Sequence, residues 1–495
     1  MHTRVALALA SAAALLSTLL AAAPASATET PLPQEPLAAT AGATGVAGFP
    51  AGQTRLAGAS RYDTAVSVSK RYSPGVPAVF VATGTNFPDA LSAAAAAALL
   101  GGPLLLTTPA ALPGSVASEI TRLAPQRIYV VGGTGAVSNG VMRALKAIAP
   151  TQRLEGSGRY ETGRAIVSEV FPASGTVFLA TGASFPDALA ATGAAGARQA
   201  PVLLVPGTST SLDAPTMATI AGLGAHEVVL VGGTGVVSSG IETQLGRAGL
   251  SVVRYGGASR YDTAAEINTA YFPRGSTDTM FLATGTNFPD ALAGAALAGR
   301  LGAPLFVTPA GCTPDSVRAS ITALGAAKQV VMGGTAVVSA AAAANTGCLT
   351  AAVPTISGSA QVSATLTARP GSWTSGTAFG YQWYANGAAI SGATGSSITL
   401  WASLKGKRLS VKVTGTKAGY VSASAMSAQT SAVVYPSRTA PVDAWNCPSW
   451  APIKGNAQSG IYHVPSGQYY SRTKPEECFA SEAAAKAAGY RKSKL

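Results

Sequence analysis

The chain contains one pattern three times in tandem, and that repetition constrains its fold more than any other feature. Arg61-Tyr62-Asp63-Thr64-Ala65 recurs as Arg159-Tyr160-Glu161-Thr162-Gly163 and as Arg260-Tyr261-Asp262-Thr263-Ala264. Thr83-Gly84-Thr85-Asn86-Phe87-Pro88-Asp89-Ala90-Leu91 recurs from Thr181 to Leu189 and from Thr284 to Leu292. The copies close on Val131-Gly132-Gly133-Thr134, Val231-Gly232-Gly233-Thr234 and Met332-Gly333-Gly334-Thr335. Their openings, Arg55-Leu56, Arg153-Leu154 and Arg254-Tyr255, stand 98 and 101 residues apart. A period of that length is a whole domain rather than a solenoid unit. Three such domains can pack around a pseudo-threefold axis.

Within the first copy, helical and strand patterns alternate. Ser60 to Arg71 reads as helix, Ala78 to Ala82 as strand, Asp89 to Leu100 as helix and Pro103 to Thr107 as strand. Ser115 to Leu123 then reads as helix, Arg127 to Val131 as strand and Val137 to Ile148 as helix. The strands are continuous apolar runs, the pattern of a parallel sheet covered on both faces. Each repeat is therefore expected to be an α/β sandwich of a Rossmann-like or Toprim-like kind with a mostly parallel sheet.

The N-terminus reads as an export signal: basic Arg4, an apolar run from Val5 to Ala23, and the small-residue pattern Ala25-Ser26-Ala27. Residues 1–27 are assigned to the signal and 28–52 to a flexible linker. No later segment is expected to span a membrane, because the most apolar stretch, Ala90 to Leu106, is broken by Gly101, Gly102 and Pro103. Net charge is +13, and most of the excess lies in the last third of the chain. Residues 350–436 hold six basic residues and no acid, and residues 437–495 hold eight basic residues and four acids. Outside a cell, the polyanions open to such a chain are wall polymers, acidic polysaccharides and lipid head groups, while nucleic acid is excluded as a partner. The four cysteines fall as Cys312 with Cys348 and Cys447 with Cys478; an oxidising compartment favours two disulfides.

The acidic residues of the repeats stand at expected helix starts. Ser60 with Asp63 and Ser259 with Asp262 have capping-box spacing, with Gly158 and Glu161 as a weaker version. Asn86 with Asp89, Ser184 with Asp187 and Asn287 with Asp290 repeat that spacing around a proline, so all six carboxylates are assigned a helix-capping, structural role. Arg61, Arg159 and Arg260 are not required by a cap. With Tyr62, Tyr160 and Tyr261 they are candidates for docking the phosphate or carboxylate of a polymer, the alternative being an internal ion pair. The Gly-Gly-Thr loops suit a tight turn, or an anion at a helix N-terminus, and lack the lysine of a P-loop. Beyond His2, only His226 and His463 are present, too few for a zinc amidase or a serine triad. No catalytic residue, metal site or cofactor is expected.

The ordered set R-Y-[DE]-T, T-G-x-x-F-P-D-A-L and V-G-G-T-x-x-V-S, three times over, resembles the type 2 bacterial cell-wall-binding repeat family. The resemblance covers residues 53–349, divided as 53–151, 152–251 and 252–349. It implies Toprim-like folds and non-covalent attachment of a secreted protein to the wall of a Gram-positive cell, by an anionic polymer or by peptidoglycan. The third copy departs at Met332 and Ala336 and adds Cys312 and Cys348. Related repeats accompany amidases and their activators, which leaves a wall hydrolase or its activator as one alternative and an extracellular adhesion protein as another. Residues 350–436 read as short strands at Val362 to Leu366, Phe379 to Tyr384, Ser397 to Leu400 and Leu409 to Val413. Tyr381 to Gly387 resembles the central strand of bacterial Ig-like modules, with Trp383 as core anchor, and a spacer role is expected. Residues 437–495 are expected to form a small α+β module; within 447–491, Cys447-Pro448, Pro452-Ile453-Lys454-Gly455-Asn456, Ile461-Tyr462-His463, Tyr469-Tyr470, Cys478-Phe479 and Ala488-Gly489-Tyr490-Arg491 resemble a module at the ends of secreted actinobacterial proteins. A Cys447–Cys478 bridge is favoured there over zinc on Cys447, His463 and Cys478, because a structural zinc site wants four ligands.

Overall fold

A computed structural model describes residues 45–494. The signal read at 1–27 and the linker as far as residue 44 lie outside the described residues. The first repeat comprises β1 (Gly52–Leu56), α1 (Arg61–Ser69), β2 (Ala78–Thr83), α2 (Pro88–Leu100), β3 (Leu104–Thr107), α3 (Gly114–Leu123), β4 (Arg127–Val131) and α4 (Asn139–Lys146). The second comprises β5 (Thr151–Leu154), α5 (Arg159–Val170), β6 (Thr176–Thr181), α6 (Pro186–Ala197), β7 (Val202–Val205), α7 (Ala214–Gly222), β8 (Glu227–Val231) and α8 (Ser239–Arg247). The third comprises β9 (Ser251–Tyr255), α9 (Arg260–Tyr271), β10 (Thr279–Thr284), α10 (Pro289–Arg300), β11 (Leu305–Thr308), α11 (Asp315–Leu324), β12 (Lys328–Met332) and a one-turn α12 (Ala340–Ala343).

The sheets are all parallel, as the uninterrupted apolar strands require, and their central strands β2 and β10 are buried along their whole length. Strand order shows that sheet and sequence repeat are out of phase by one strand. The first sheet runs β3-β2-β4-β5 and the second β7-β6-β8-β9, so each takes its last strand from the next repeat. The third runs β11-β10-β12-β1, and its last strand is the opening strand of the whole chain. Three domains thus close into a ring. An arginine on each borrowed strand locks the exchange. Arg55, Arg153 and Arg254 donate to the carbonyls of Gly333, Gly132 and Gly232 at 2.7, 2.6 and 2.8 Å.

Residues 45–51, read as linker, are instead docked: Gly45 and Ala47 bond to the backbone of Ser73 and Arg71 just beyond α1, and Phe49 reaches the third repeat. Phe49 is buried edge-on against Phe281 at 6.0 Å, with the Arg71 guanidinium 4.4 Å over its ring. Burying that ring takes a large apolar surface out of water, which favours the docked segment over a free one.

Ring closure rests on the alanine-rich helices α2, α6 and α10, which pack against one another and are buried on nearly every side. Their small side chains permit close approach: a Cβ on Gly196 would collide with the backbone of Gly299. The first helix of each repeat then covers the second helix of the preceding one, α5 on α2, α9 on α6 and α1 on α10.

Beyond α12, β13 (Gly347–Cys348) leads into two antiparallel sheets. Thr355–Ser357, Thr365–Arg369 and Ser397–Thr399 form one; Ala388–Ala389, Ala378–Ala385, Leu409–Thr416 and Ala423–Met426 form the other. Trp383 is fully buried among Leu366, Ile398, Leu400, Leu409 and Val411, and its Nε1 donates to the Gly395 carbonyl at 3.0 Å. The strand expected at Val362 to Leu366 lies at Thr365–Arg369, because Ser363 adopts φ 67° in a turn closed from Ala364 N to the Gln361 carbonyl.

The expected spacer is anchored to the third repeat. β13 pairs in parallel with Tyr420–Val421, and the Cys312–Cys348 disulfide ties β13 back to the repeat. Tyr420 Oη donates to Asp315 at 2.8 Å, while its ring lies between Arg318 at 4.7 Å and Lys417 at 4.2 Å. The C-terminal module is a five-stranded sheet carrying one short helix (Glu482–Ala487), with the Cys447–Cys478 disulfide in place. Among the described residues, no helix is long and apolar enough to cross a membrane.

Candidate binding face on the pseudo-threefold axis

The connections leaving β2 and β4 run to opposite sides of the first sheet. That order, with the neighbours of β2 being β3 and β4, makes the carboxyl ends of β2 and β4 the switch point where open α/β sheets offer a crevice. The loop from Gly84 to Asp89 and the Gly132-Gly133-Thr134 turn meet there, and their equivalents do so in the other two repeats.

The carboxylates of Asp89, Asp187 and Asp290 lie in the first turns of α2, α6 and α10, as the sequence suggested, but the capping geometry differs. The N-cap residues are Phe87, Phe185 and Phe288, and none makes a side-chain cap. Asn86 accepts from the N–H of Phe87 at 2.9 Å and reaches no further into the helix. Released from capping, the three carboxylates turn into the switch-point crevices against Gly132, Gly232 and Gly333. These glycines have φ of 96°, 111° and 89°, and a Cβ there would sit 2.9 Å from Asp187 Oδ2 or 2.6 Å from Asp290 Oδ2. Burial raises all three acids, Asp187 to about 6. By contrast, Asp63 and Asp262 stand in true capping boxes. Ser60 and Ser259 Oγ each accept from the N–H and donate to the carboxylate, and second serines, Ser115 and Ser316, help hold both acids low. Glu161 follows an uncapped Gly158 and pairs with Arg164 at 3.2 Å.

Arg61, Arg159 and Arg260 each donate to a carbonyl of their own repeat, Gly84, Gly182 and Gly285, the last at 2.7 Å. Tyr62, Tyr160 and Tyr261 pack on those same glycines, where a Cβ would strike the ring. Tyrosine and arginine together fix the loop. The arginine charges reach across the repeat boundary: Arg159 acts on Asp89, Arg260 on Asp187 and Arg61 on Asp290, each opposing the effect of burial. Thr64 adds a hydrogen bond to Asp290.

At the axis, Phe87, Phe185 and Phe288 form a triangle with centroid separations of 5.7, 5.6 and 5.8 Å. All three rings are partly exposed, and Arg159 and Arg260 lie 5.9 and 6.0 Å over Phe87 and Phe185. The face therefore combines three guanidinium groups with an apolar floor, rimmed by exposed Thr85, Asn86, Thr286 and Asn287. Sequence reading missed the phenylalanines as site residues. Their signal was the threefold Phe-Pro, which reads equally well as local packing before a helix.

The cell wall binding domain 2 (CWB2) family model matches residues 55–142, 153–242 and 254–343, together more than half of the chain, and the ArfC family model matches residues 432–492. The chain is 32% identical over 256 residues to the N-acetylmuramoyl-L-alanine amidase LytC of Bacillus subtilis (strain 168), covering 51% of this chain and 50% of that protein. It is 28% identical over 269 residues to the amidase enhancer of the same organism, covering 54% of this chain and 36% of that protein. The chain thus spans half or less of the curated relatives it matches. Among solved structures, Cwp6 from Clostridium difficile superposes with a TM-score of 0.56 at 27% identity, over 60% of this chain and 48% of that one. Cwp8 from Clostridium difficile superposes with a TM-score of 0.53 at 27% identity, over 57% and 49%. With three matched copies arranged as a closed ring of parallel α/β sheets, the chain belongs to the cell wall binding domain 2 family.

Proposed function

We propose that the chain is an exported, non-catalytic anchor whose ring of repeats docks on an anionic polymer of the cell wall. The observation that carries this is the axial face: three partly exposed phenylalanine rings with Arg159 and Arg260 over two of them and Arg61 in the equivalent place of its repeat. Guanidinium groups recognise phosphate or carboxylate by directed hydrogen bonds, and flat apolar rings match the faces of sugars. Each arginine spends one N–H on a loop carbonyl, and that hydrogen bond sets its orientation. The absence of chemistry is supported by the histidines: His226 packs against Gly175 in the second repeat, and His463 lies in the C-terminal module.

The test is sedimentation of the purified protein with cell walls before and after removal of their anionic secondary polymers. Loss of binding with the polymer is expected, and undiminished binding would move the target to peptidoglycan. Similarity to an amidase enhancer favours a second reading, in which the bound chain stimulates a wall hydrolase. Faster release of soluble wall fragments when the chain is added to an amidase would identify that role. Release by the chain alone would overturn the non-catalytic reading.

A further inference from the structure

The C-terminal sheet has two unlike faces. Ile453, Tyr462 and Phe479 form an apolar core on the side of the short helix. On the opposite side, the cross-strand register places His463 beside Lys454 and Lys454 beside Cys478, and cross-strand partners share a face. Cys478 bridges to Cys447, which draws the 440–452 loop over that row. The 464–476 loop covers it from the other side. Beneath the two loops Lys454 is 3% exposed and His463 9% exposed.

The charge balance of this row is incomplete. Lys454 Nζ donates to the Tyr470 carbonyl at 2.9 Å and lies 4.3 Å from the centre of that ring. An ammonium carries three donors, and no carboxylate stands within ion-pair distance of this one among the described residues. Asp443 acts on it only at longer range, its Oδ1 accepting from the N–H groups of Trp445 and Asn446 and its Oδ2 from the Asn446 side-chain amide. Next to it, Nδ1 of His463 is buried without a hydrogen-bond partner. Burial lowers both side chains, and the lysine charge adds to the effect on the histidine. Buried cations and ring nitrogens left in this state are costly unless something of opposite character completes them. Exposed Trp445 and Tyr469 stand on the covering loops.

We infer that Lys454 and His463 form a carboxylate-binding site under the disulfide-clamped loops of the C-terminal module. One carboxylate oxygen accepts a hydrogen bond from a free ammonium N–H of Lys454. The other accepts from protonated Nδ1 of His463, and Trp445 and Tyr469 flank the remainder of the ligand. The site is separate from the axial face and does not depend on how that face is read.

The experiment is a nuclear magnetic resonance titration of the full-length protein, following the imidazole signals of His463, assigned by their loss in His463→Gln. Sodium acetate probes a free carboxylate, acetyl-D-alanyl-D-alanine probes the carboxylate end of a peptide, and sodium chloride at matched ionic strength is the control. Acetate is expected to give a saturable shift that chloride does not, and to weaken by about tenfold or more in Lys454→Met. Tighter saturation by the dipeptide would assign the site to peptide ends; equal saturation would assign it to carboxylates at large. Overturning results are a wild-type signal unmoved by either carboxylate, an equal shift with chloride, or undiminished binding in a folded Lys454→Met variant. Should that variant fail to fold, Lys454→Gln is the second variant, read by the same His463 signal.

Discussion

Arg159 and Phe87 belong to different repeats, yet the guanidinium of one lies 5.9 Å over the ring of the other. The same arginine charge acts on Asp89, two residues beyond that ring. Each arginine is thus supplied by one repeat to the Phe-Pro-Asp segment of its predecessor, and the ring brings Arg61 back to Asp290 of the third. A single excised repeat would lack half of this arrangement.

Replacing one axial arginine should therefore weaken wall binding without unfolding the ring. Charge-assisted hydrogen bonds contribute about 1.5–3 kcal/mol, so Arg159→Ala is expected to cost roughly tenfold or more in wall affinity. Arg159→Lys should recover the charge but not the directed geometry. Sedimentation at several salt concentrations measures both. An unaltered isotherm in the triple variant of Arg61, Arg159 and Arg260 would remove the axial face from the binding site.

Asp187 gives the ring a pH signature. Burial lifts its carboxyl from 3.8 to about 6, with Arg260 pulling the other way. A raised folded-state value means that the native chain holds a proton between about pH 4 and 6 where the unfolded chain has released it. Stability therefore falls as pH rises through that window and stays lower above it. The two-unit shift corresponds to about 3 kcal/mol at most. Asp187→Asn should raise the unfolding midpoint at neutral pH and flatten the slope between pH 4 and 6. Thermal unfolding over a pH series checks this, and a slope unchanged in the variant would refute it.

Deleting residues 45–56 should damage the far end of the repeat array. β1 pairs with β12, so its loss bares the edge of the third sheet and frees the Gly333 carbonyl from Arg55. Hydrogen exchange is expected to accelerate in Lys328–Met332 while Ala78–Thr83, the strand nearest the deletion in sequence, stays protected. Acceleration confined to the first repeat would contradict the ring.

The Cys312–Cys348 disulfide should govern how firmly the β-sandwich is held. It closes a span of 36 residues, for which chain entropy gives about 3–4 kcal/mol. Removing it as Cys312→Ser with Cys348→Ser leaves β13 held by its short pairing with Tyr420–Val421. Protease cleavage between residues 343 and 353 should become faster, and Tyr420→Ala should add to the effect. Cleavage at the wild-type rate would mean that side-chain contacts suffice.

The recurring motifs and unbroken apolar strands were enough to place the elements of each repeat, because burial on both faces of a parallel sheet leaves a local imprint in the sequence. Ser60 and Ser259 were legible as caps for the same reason: their partners are three residues away. Asp89, Asp187 and Asp290 show where local reading stops. They have the spacing of caps, but the phenylalanine before each proline takes the cap position and the acid turns toward a glycine more than forty residues away. The docking of Phe49 and the return of β1 to the third sheet lie further out of reach, because strand pairing follows how three domains close on each other and no local pattern records it. The sequence alone thus determined that this protein has three α/β repeats and two cysteine pairs. Only the tertiary structure decided which repeat supplies the arginine to which acid, because a ring joins ends that the chain keeps nearly three hundred residues apart.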